Sequence, residues 1–324
     1  MDLIDKKLIG IERQRHAVLP TPMHELPELS RISDYRVFCK RDDLTGFGFG
    51  GNKARKLDFL ISDALSSQCD TLVTVGANQS NFCRMVAAYG SAHEMDVHLV
   101  LGGKKPDIPT GNLRLDHMLG AECHHVDSPD WDEWEARAIV LETELRKAGR
   151  KVYRMPIGGS TEIGALGYVA AMSEILDDEK HLDLNFSAVV FASSSGGTQA
   201  GLVVGKAIAG WPGQIIGFSV ARESKLLRQD VFALAEKTAR RLGVTIDRRD
   251  ISVDDSYLGD SYARKTEECR SAVDFFARRC GIFLDYVYSG KAAAGLLDYL
   301  KRGRFTPGSS ILFLHTGGNI ELFE

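Results

Sequence analysis

Ala188-Val189-Val190-Phe191-Ala192-Ser193-Ser194-Ser195-Gly196-Gly197-Thr198-Gln199-Ala200-Gly201-Leu202-Val203-Val204 reads as an apolar strand, a serine- and glycine-rich loop and the start of a helix, in that order. The same alternation of short β-rich and helical runs recurs along the chain. Strands are expected at Thr71-Leu72-Val73-Thr74-Val75, Val97-His98-Leu99-Val100-Leu101, Val152-Tyr153-Arg154-Met155, Ile215-Ile216-Gly217-Phe218-Ser219-Val220 and Ser310-Ile311-Leu312-Phe313-Leu314, with a helix over 81–93. This rhythm predicts an α/β fold of parallel sheets covered by helices on both faces.

Glycine-rich loops follow four of the strands, at Gly76-Ala77-Asn78-Gln79-Ser80, Gly158-Gly159-Ser160, the serine loop 193–198 and Thr316-Gly317-Gly318. Ligands in open α/β sheets collect at the carboxyl ends of strands, which makes these loops candidate site walls. The serine loop has the design of a phosphate cup: backbone N–H groups at a helix N-terminus point outward, glycines remove side-chain obstruction and hydroxyls add donors. A plain turn with an N-cap is the simpler alternative.

Gly50-Gly51-Asn52-Lys53-Ala54-Arg55-Lys56-Leu57 hands Lys53 to the start of another helix, whose Leu57, Leu60, Ile61 and Leu65 are expected to be buried. Gly46 to Gly51 also spells GxGxxG. A dinucleotide fingerprint needs an apolar strand before its first glycine, and Lys40-Arg41-Asp42-Asp43-Leu44-Thr45 stands there instead. Segments 102–111 and 127–135 read as surface.

The 324 residues are 44% hydrophobic and 26% charged, with a formal net charge of -4. That balance gives no general attraction to nucleic acid or an anionic membrane, and the pairs Arg240-Arg241 and Arg248-Arg249 read as solvated surface. No apolar run reaches the roughly 18 residues that span a bilayer. Met1-Asp2-Leu3-Ile4-Asp5-Lys6-Lys7 lacks a signal-peptide core, so a cytoplasmic protein is expected. Six scattered cysteines read as reduced thiols.

A phosphate cup together with a site lysine points to a phosphorylated aldehyde joined to Lys53 as an imine, for which pyridoxal 5'-phosphate is the candidate. Pro20-Thr21-Pro22, Lys40-Arg41-Asp42-Asp43-Leu44-Thr45-Gly46, Gln79-Ser80-Asn81, Gly164-Ala165-Leu166-Gly167-Tyr168, Tyr288-Ser289-Gly290-Lys291-Ala292 and His315-Thr316-Gly317-Gly318 complete the pattern. With them the chain resembles, over nearly its whole length, pyridoxal-phosphate enzymes of fold type II, the tryptophan synthase β-subunit group. Within that group it is similar to the branch of 1-aminocyclopropane-1-carboxylate deaminase and D-cysteine desulfhydrase.

The resemblance implies a two-lobed protein, with a small α/β domain over 50–160 inserted in a large cofactor-binding domain built from 1–49 and 161–324, and the site between them. It makes Lys53 the Schiff-base lysine, Ser195, Gly196, Gly197 and Thr198 the phosphate binders, and Asn81 the partner of the cofactor's phenolic oxygen. Asn78, Gln79 and Ser80 would hold the substrate carboxylate, and Tyr288 and Tyr262 match tyrosines of the branch's active site. A homodimer is usual in the family.

Ser289 lies where the family places the partner of the pyridine nitrogen, with Thr316 as a second hydroxyl near the ring. The deaminase carries glutamate there, which keeps the pyridine protonated; desulfhydrases carry threonine. The expected reaction is therefore α,β-elimination on a small amino acid to pyruvate and ammonia, with D-cysteine first, and L-cysteate or 1-aminocyclopropane-1-carboxylate as alternatives. A nonenzymatic sensor of cofactor or amino acid is the reading of a different class.

Phe82, Tyr286 and Ala263 depart from the branch pattern, where a polar residue, proline and glycine are usual. Adjacent Cys123, His124 and His125 cannot converge on one ion from a single strand, and no metal site is expected. His315 is expected to orient its loop, and Cys83 to be a small buried hydrophobe.

Overall fold

Val189 and Phe191 pack on one side of their strand and Ala188 and Val190 on the other, all of them buried. A strand covered on both faces needs helices on both, which is why its sequence is continuously apolar. A computed structural model of the chain describes residues 2–260 and 263–324. The strands are β1 (Met23–Glu25), β2 (Arg36–Arg41), β3 (Thr71–Ala77), β4 (Asp96–Gly102), β5 (Glu122–Val126), β6 (Val152–Arg154), β7 (Phe186–Ser193), β8 (Gln214–Ser219), β9 (Ile251–Asp254) and β10 (Ser310–His315). The helices are α1 (Leu3–Leu8), α2 (Pro27–Arg31), α3 (Lys53–Ser66), α4 (Asn81–Ala92), α5 (Gly111–Met118), α6 (Trp131–Lys147), α7 (Glu162–Leu182), α8 (Gly197–Ala209), α9 (Ser224–Arg241), α10 (Glu267–Phe275) and α11 (Ser289–Lys301).

Among the described residues these strands form two sheets. One is six-stranded in the order β1-β2-β10-β7-β8-β9, the other four-stranded in the order β5-β4-β3-β6. Every pairing is parallel except β1 with β2. Helices α7, α8 and α9 cover one face of the larger sheet, and α2, α10 and α11 the other. The smaller sheet lies between α3, α4 and α5 on one side and α6 on the other.

The expected strands are all present, and β1, β2 and β9 are additional. Leu57, Leu60 and Ile61 are buried as expected, whereas Leu65 is 36% exposed because it sits in the last turn of α3, beyond the packed face. The six cysteines are unpaired.

A buried ionic net fixes the start of α3. Arg55 donates to Asp42 at 2.8 Å and to Glu174 at 2.7 Å, and Asp42 also accepts from Thr21 at 2.8 Å and Tyr168 at 2.6 Å. Burial works to raise the Asp42 carboxyl, but the Arg55 charge and these hydrogen bonds outweigh it and hold the group below its ordinary value. Three of the motifs quoted above, at 20–22, 40–46 and 164–168, thus meet as one structural joint behind the lysine loop.

Candidate active site

The run of β7 ends at Ser193, and Gly196, at φ +82, turns the chain into the N-terminus of α8. A Cβ at Gly197 would lie 2.5 Å from Lys56 Nζ and 2.9 Å from Ser160 Oγ. A Cβ at Gly158 would lie 2.3 Å from Ser195 Oγ and 3.5 Å from Lys53 Nζ. Ser160 donates to Ser195 at 2.8 Å, and Asn52 Nδ2 donates to Thr198 Oγ1 at 3.1 Å, joining the lysine loop to the serine loop. Two amines, three hydroxyls and a helix N-terminus therefore surround a space that side chains are kept out of. This donor set fits a phosphate with an aldehyde within reach of Lys53.

Burial lowers the Lys53 amine to about 8, a hydrogen bond with Lys56 pulling slightly the other way. Lys56 is fully buried and donates to the Gly158 carbonyl at 3.1 Å. Burial first, and then the Lys53 charge, push it well below the ordinary lysine range. A bound phosphate would supply negative charge that favours the protonated form of Lys56. Lys56 was not among the expected site residues, although its spacing of three from Lys53 puts both on one helix face.

The opposite wall is the N-terminus of α4. Ser80 caps it, its Oγ accepting from the Cys83 amide at 3.2 Å, and Ser80, Asn81 and Phe82 line the pocket. Gly76 is required here, since its Cβ would lie 2.5 Å from Ser80 Oγ. The side chains of Asn78 and Gln79 turn away, donating to the carbonyls of Lys104 at 2.8 Å and Thr110 at 3.2 Å. Buried Arg84 ties this wall to the lysine loop, donating to the carbonyls of Gly48 and Gly50 and to Asn81 Oδ1.

Tyr288 and Thr316 also line the pocket. Ser289 stands just behind, buried, its hydroxyl donating to Asp285. The Asp285 carboxylate collects the amides of Val287 at 2.9 Å, Tyr288 at 2.6 Å and Ser289 at 2.8 Å, and so shapes the turn that presents Tyr288. Buried His315 bonds the Phe283 carbonyl through Nε2 at 2.9 Å and accepts from the Gly317 amide at 3.2 Å, which fixes its loop in orientation. Tyr262 lies outside the described residues. Ala263, where the branch has glycine, sits at φ +62, a strained backbone for any residue with a Cβ.

One expectation is overturned. Segment 127–135 is not merely surface, because Trp131 and Trp134 of α6 reach the pocket wall and Trp134 is buried. Asp130, Asp132 and Glu133 are acidic because they cap and start that helix, and they hide the aromatic face in the sequence.

The chain is similar to known proteins along nearly its whole length. A family model described as "Pyridoxal-phosphate dependent enzyme" matches residues 15–317. A protein of Pyrococcus furiosus named putative 1-aminocyclopropane-1-carboxylate deaminase is 39% identical over 92% of this chain and 89% of its own. A D-cysteine desulfhydrase of Yersinia enterocolitica is 40% identical over 92% of each chain. A crystal structure titled as an ACC deaminase homologue superposes with a TM-score of 0.94 at 37% identity, covering 100% of this chain and 97% of the other. A threonine deaminase, at 18% identity and TM-score 0.67 over 98% of this chain and 97% of its own, shares the fold. With these matches over nearly its whole length, the chain belongs to the pyridoxal-phosphate-dependent enzyme family.

Proposed function

We propose that the chain is a lyase that eliminates the β-substituent of a small amino acid, releasing pyruvate and ammonia, with D-cysteine as the leading substrate. The observation that carries this is the character of the pocket wall: among the described residues it contains no carboxylate, and the position behind Tyr288 is Ser289. When bound, the cofactor supplies an electron sink for charge at the substrate Cα. Without a carboxylate partner that sink is modest, which favours a substrate with a good leaving group over opening of a cyclopropane ring.

In this reading Lys53 holds the cofactor aldehyde, and Lys56, Ser195, Gly196, Gly197 and Thr198 hold its phosphate. Asn81 would hold the phenolic oxygen, and Ser289, backed by Asp285, and Thr316 would serve the ring nitrogen. Ser80 with the backbone of Asn78 and Gln79 takes the substrate carboxylate at the positive end of α4. The freed Lys53 amine or the Tyr288 hydroxyl moves the Cα proton, and Tyr262 is a further candidate on the resemblance alone. Unpaired thiols fit a reducing, cytoplasmic setting, and a homodimer is proposed as the working form, to be read from solution mass.

The test is ammonia release by the purified holoenzyme from D-cysteine, L-cysteate and 1-aminocyclopropane-1-carboxylate in turn, with the 2-oxo acid identified as pyruvate for the first two and 2-oxobutanoate for the third, alongside Lys53→Ala. D-Cysteine is expected to turn over fastest, and the variant to lose both turnover and the lysine-linked absorption band. Turnover of the cyclopropane alone would replace the substrate assignment. An active Lys53→Ala would overturn the mechanism, and cofactor binding with no turnover of any amino acid would favour a sensor.

A further inference from the structure

β4 and β5 pair in parallel with His98 opposite Glu122 and Val100 opposite His124. Side chains alternate along a strand, so His98, Glu122 and His124 share one face of the sheet while Cys123 and His125 take the other. His98 Nδ1 and His124 Nε2 lie 3.1 Å apart. Glu122 meets both, with Oε2 3.4 Å from His98 Nδ1 and Oε1 3.4 Å from His124 Nε2. Zinc bonds of about 2.0–2.1 Å at tetrahedral angles separate neighbouring ligand atoms by about 3.3–3.4 Å. The nitrogen–nitrogen separation, and the distance from each nitrogen to one Glu122 oxygen, a different one for each, are close to that spacing, and one ligand atom from each residue lies within 4.8 Å of the other two.

We propose that His98, Glu122 and His124 bind one divalent transition-metal ion of the zinc class, with water completing the coordination. The two imidazoles are held in place, their side chains only 12% and 19% exposed, whereas Glu122 is 64% exposed and leaves an entry path. From α6, Arg137 and Glu144 act on His124 with opposite sign and pair with each other at 3.2 Å, so their charges offset at the site. None of the three ligands lines the cofactor pocket. The ion's part is to clip the edge strand β5 to β4, stabilising the folded state in proportion to its binding. Adjacency of Cys123, His124 and His125 does not create this site; strand alternation plus the register with β4 does.

The test is titration of amino-acid-free holoenzyme with Zn2+ in competition with a chromophoric chelator. One equivalent per chain is expected, removed on acidification as the imidazoles protonate. Loss of an outer-shell partner already costs about 10- to 100-fold in metal affinity, so His98→Ala and His124→Ala are each expected to weaken binding by at least about 100-fold. Cys123→Ser and His125→Ala, on the opposite face, are expected to retain it. Co2+ added to the unaltered protein gives a check independent of folding in the variants, through the intense visible bands of a low-symmetry four-coordinate site. Undiminished Zn2+ binding in both alanine variants, loss of binding in the opposite-face variants instead, or a Co2+ spectrum like that of the aqueous ion would overturn the proposal and leave a hydrogen-bonded His–Glu–His group.

Discussion

Lys53 and Lys56 show how a single turn of helix tunes a nucleophile. The Lys53 amine is lowered to about 8 by burial, and only its neutral form attacks an aldehyde. The rate at which apoprotein takes up the cofactor should therefore rise with pH and level off above about 8, measured as growth of the visible band. Asp116 presents the opposite sign. It is fully buried, neither carboxylate oxygen has a hydrogen-bond partner, and burial raises it to about 8 in spite of the nearby Arg84 charge. A carboxyl raised in the folded state contributes stability below its unfolded value near 4 and loses it as pH climbs through the folded value. Asp116→Asn should thus raise the melting temperature, by more at about pH 9 than at about pH 5. Lys53 was legible because glycines flank it and a helix follows. Lys56 and Asp285 were not, since their roles come from Gly158, Gly197 and the turn at 285–289, which only the folded chain brings near.

Helices α3, α7 and α8 meet through glycines, so their backbones come nearly into contact. A Cβ at Gly167 would lie 2.3 Å from the Arg55 carbonyl oxygen, and one at Gly201 2.2 Å from that of Ala165. Backbone cannot swing aside as a side chain does, and overpacking of this kind costs about 1–3 kcal/mol. Gly201→Ala should lower the urea midpoint accordingly while leaving the serine loop's residues intact. At this scale the sequence was readable where elements are buried on both faces: β3, β4, β7, β8 and β10 are runs of β-branched and aromatic residues. At β5 only Cys123, His124 and His125 were placed on a strand, without its bounds, because Glu122, His124 and His125 are polar as befits an edge. The sequence was silent at β2, where Arg36, Lys40 and Arg41 obscure a buried centre of Val37, Phe38 and Cys39. Polar residues that serve an ion net or an edge look like loop until their partners are known.

The two sheets meet at the pocket around Lys53, and α6 of the smaller reaches toward the larger through Trp131, whose ring lies 5.3 Å from the Arg222 guanidinium carbon. Of the three tryptophans, Trp131 and Trp134 line the pocket and Trp211 lies in the core of the larger sheet. Cofactor uptake should therefore quench most of the intrinsic fluorescence, and Trp131→Phe should reduce the quench without abolishing it. The strand order also carries a temporal consequence. β2 lies between β1 and β10, so its second neighbour is made about 270 residues after it. At roughly 5–20 residues per second of synthesis, the antiparallel β1–β2 pair waits on the order of tens of seconds with one edge unsatisfied. The smaller sheet, encoded wholly within that interval, can form before β10 emerges to close the larger one.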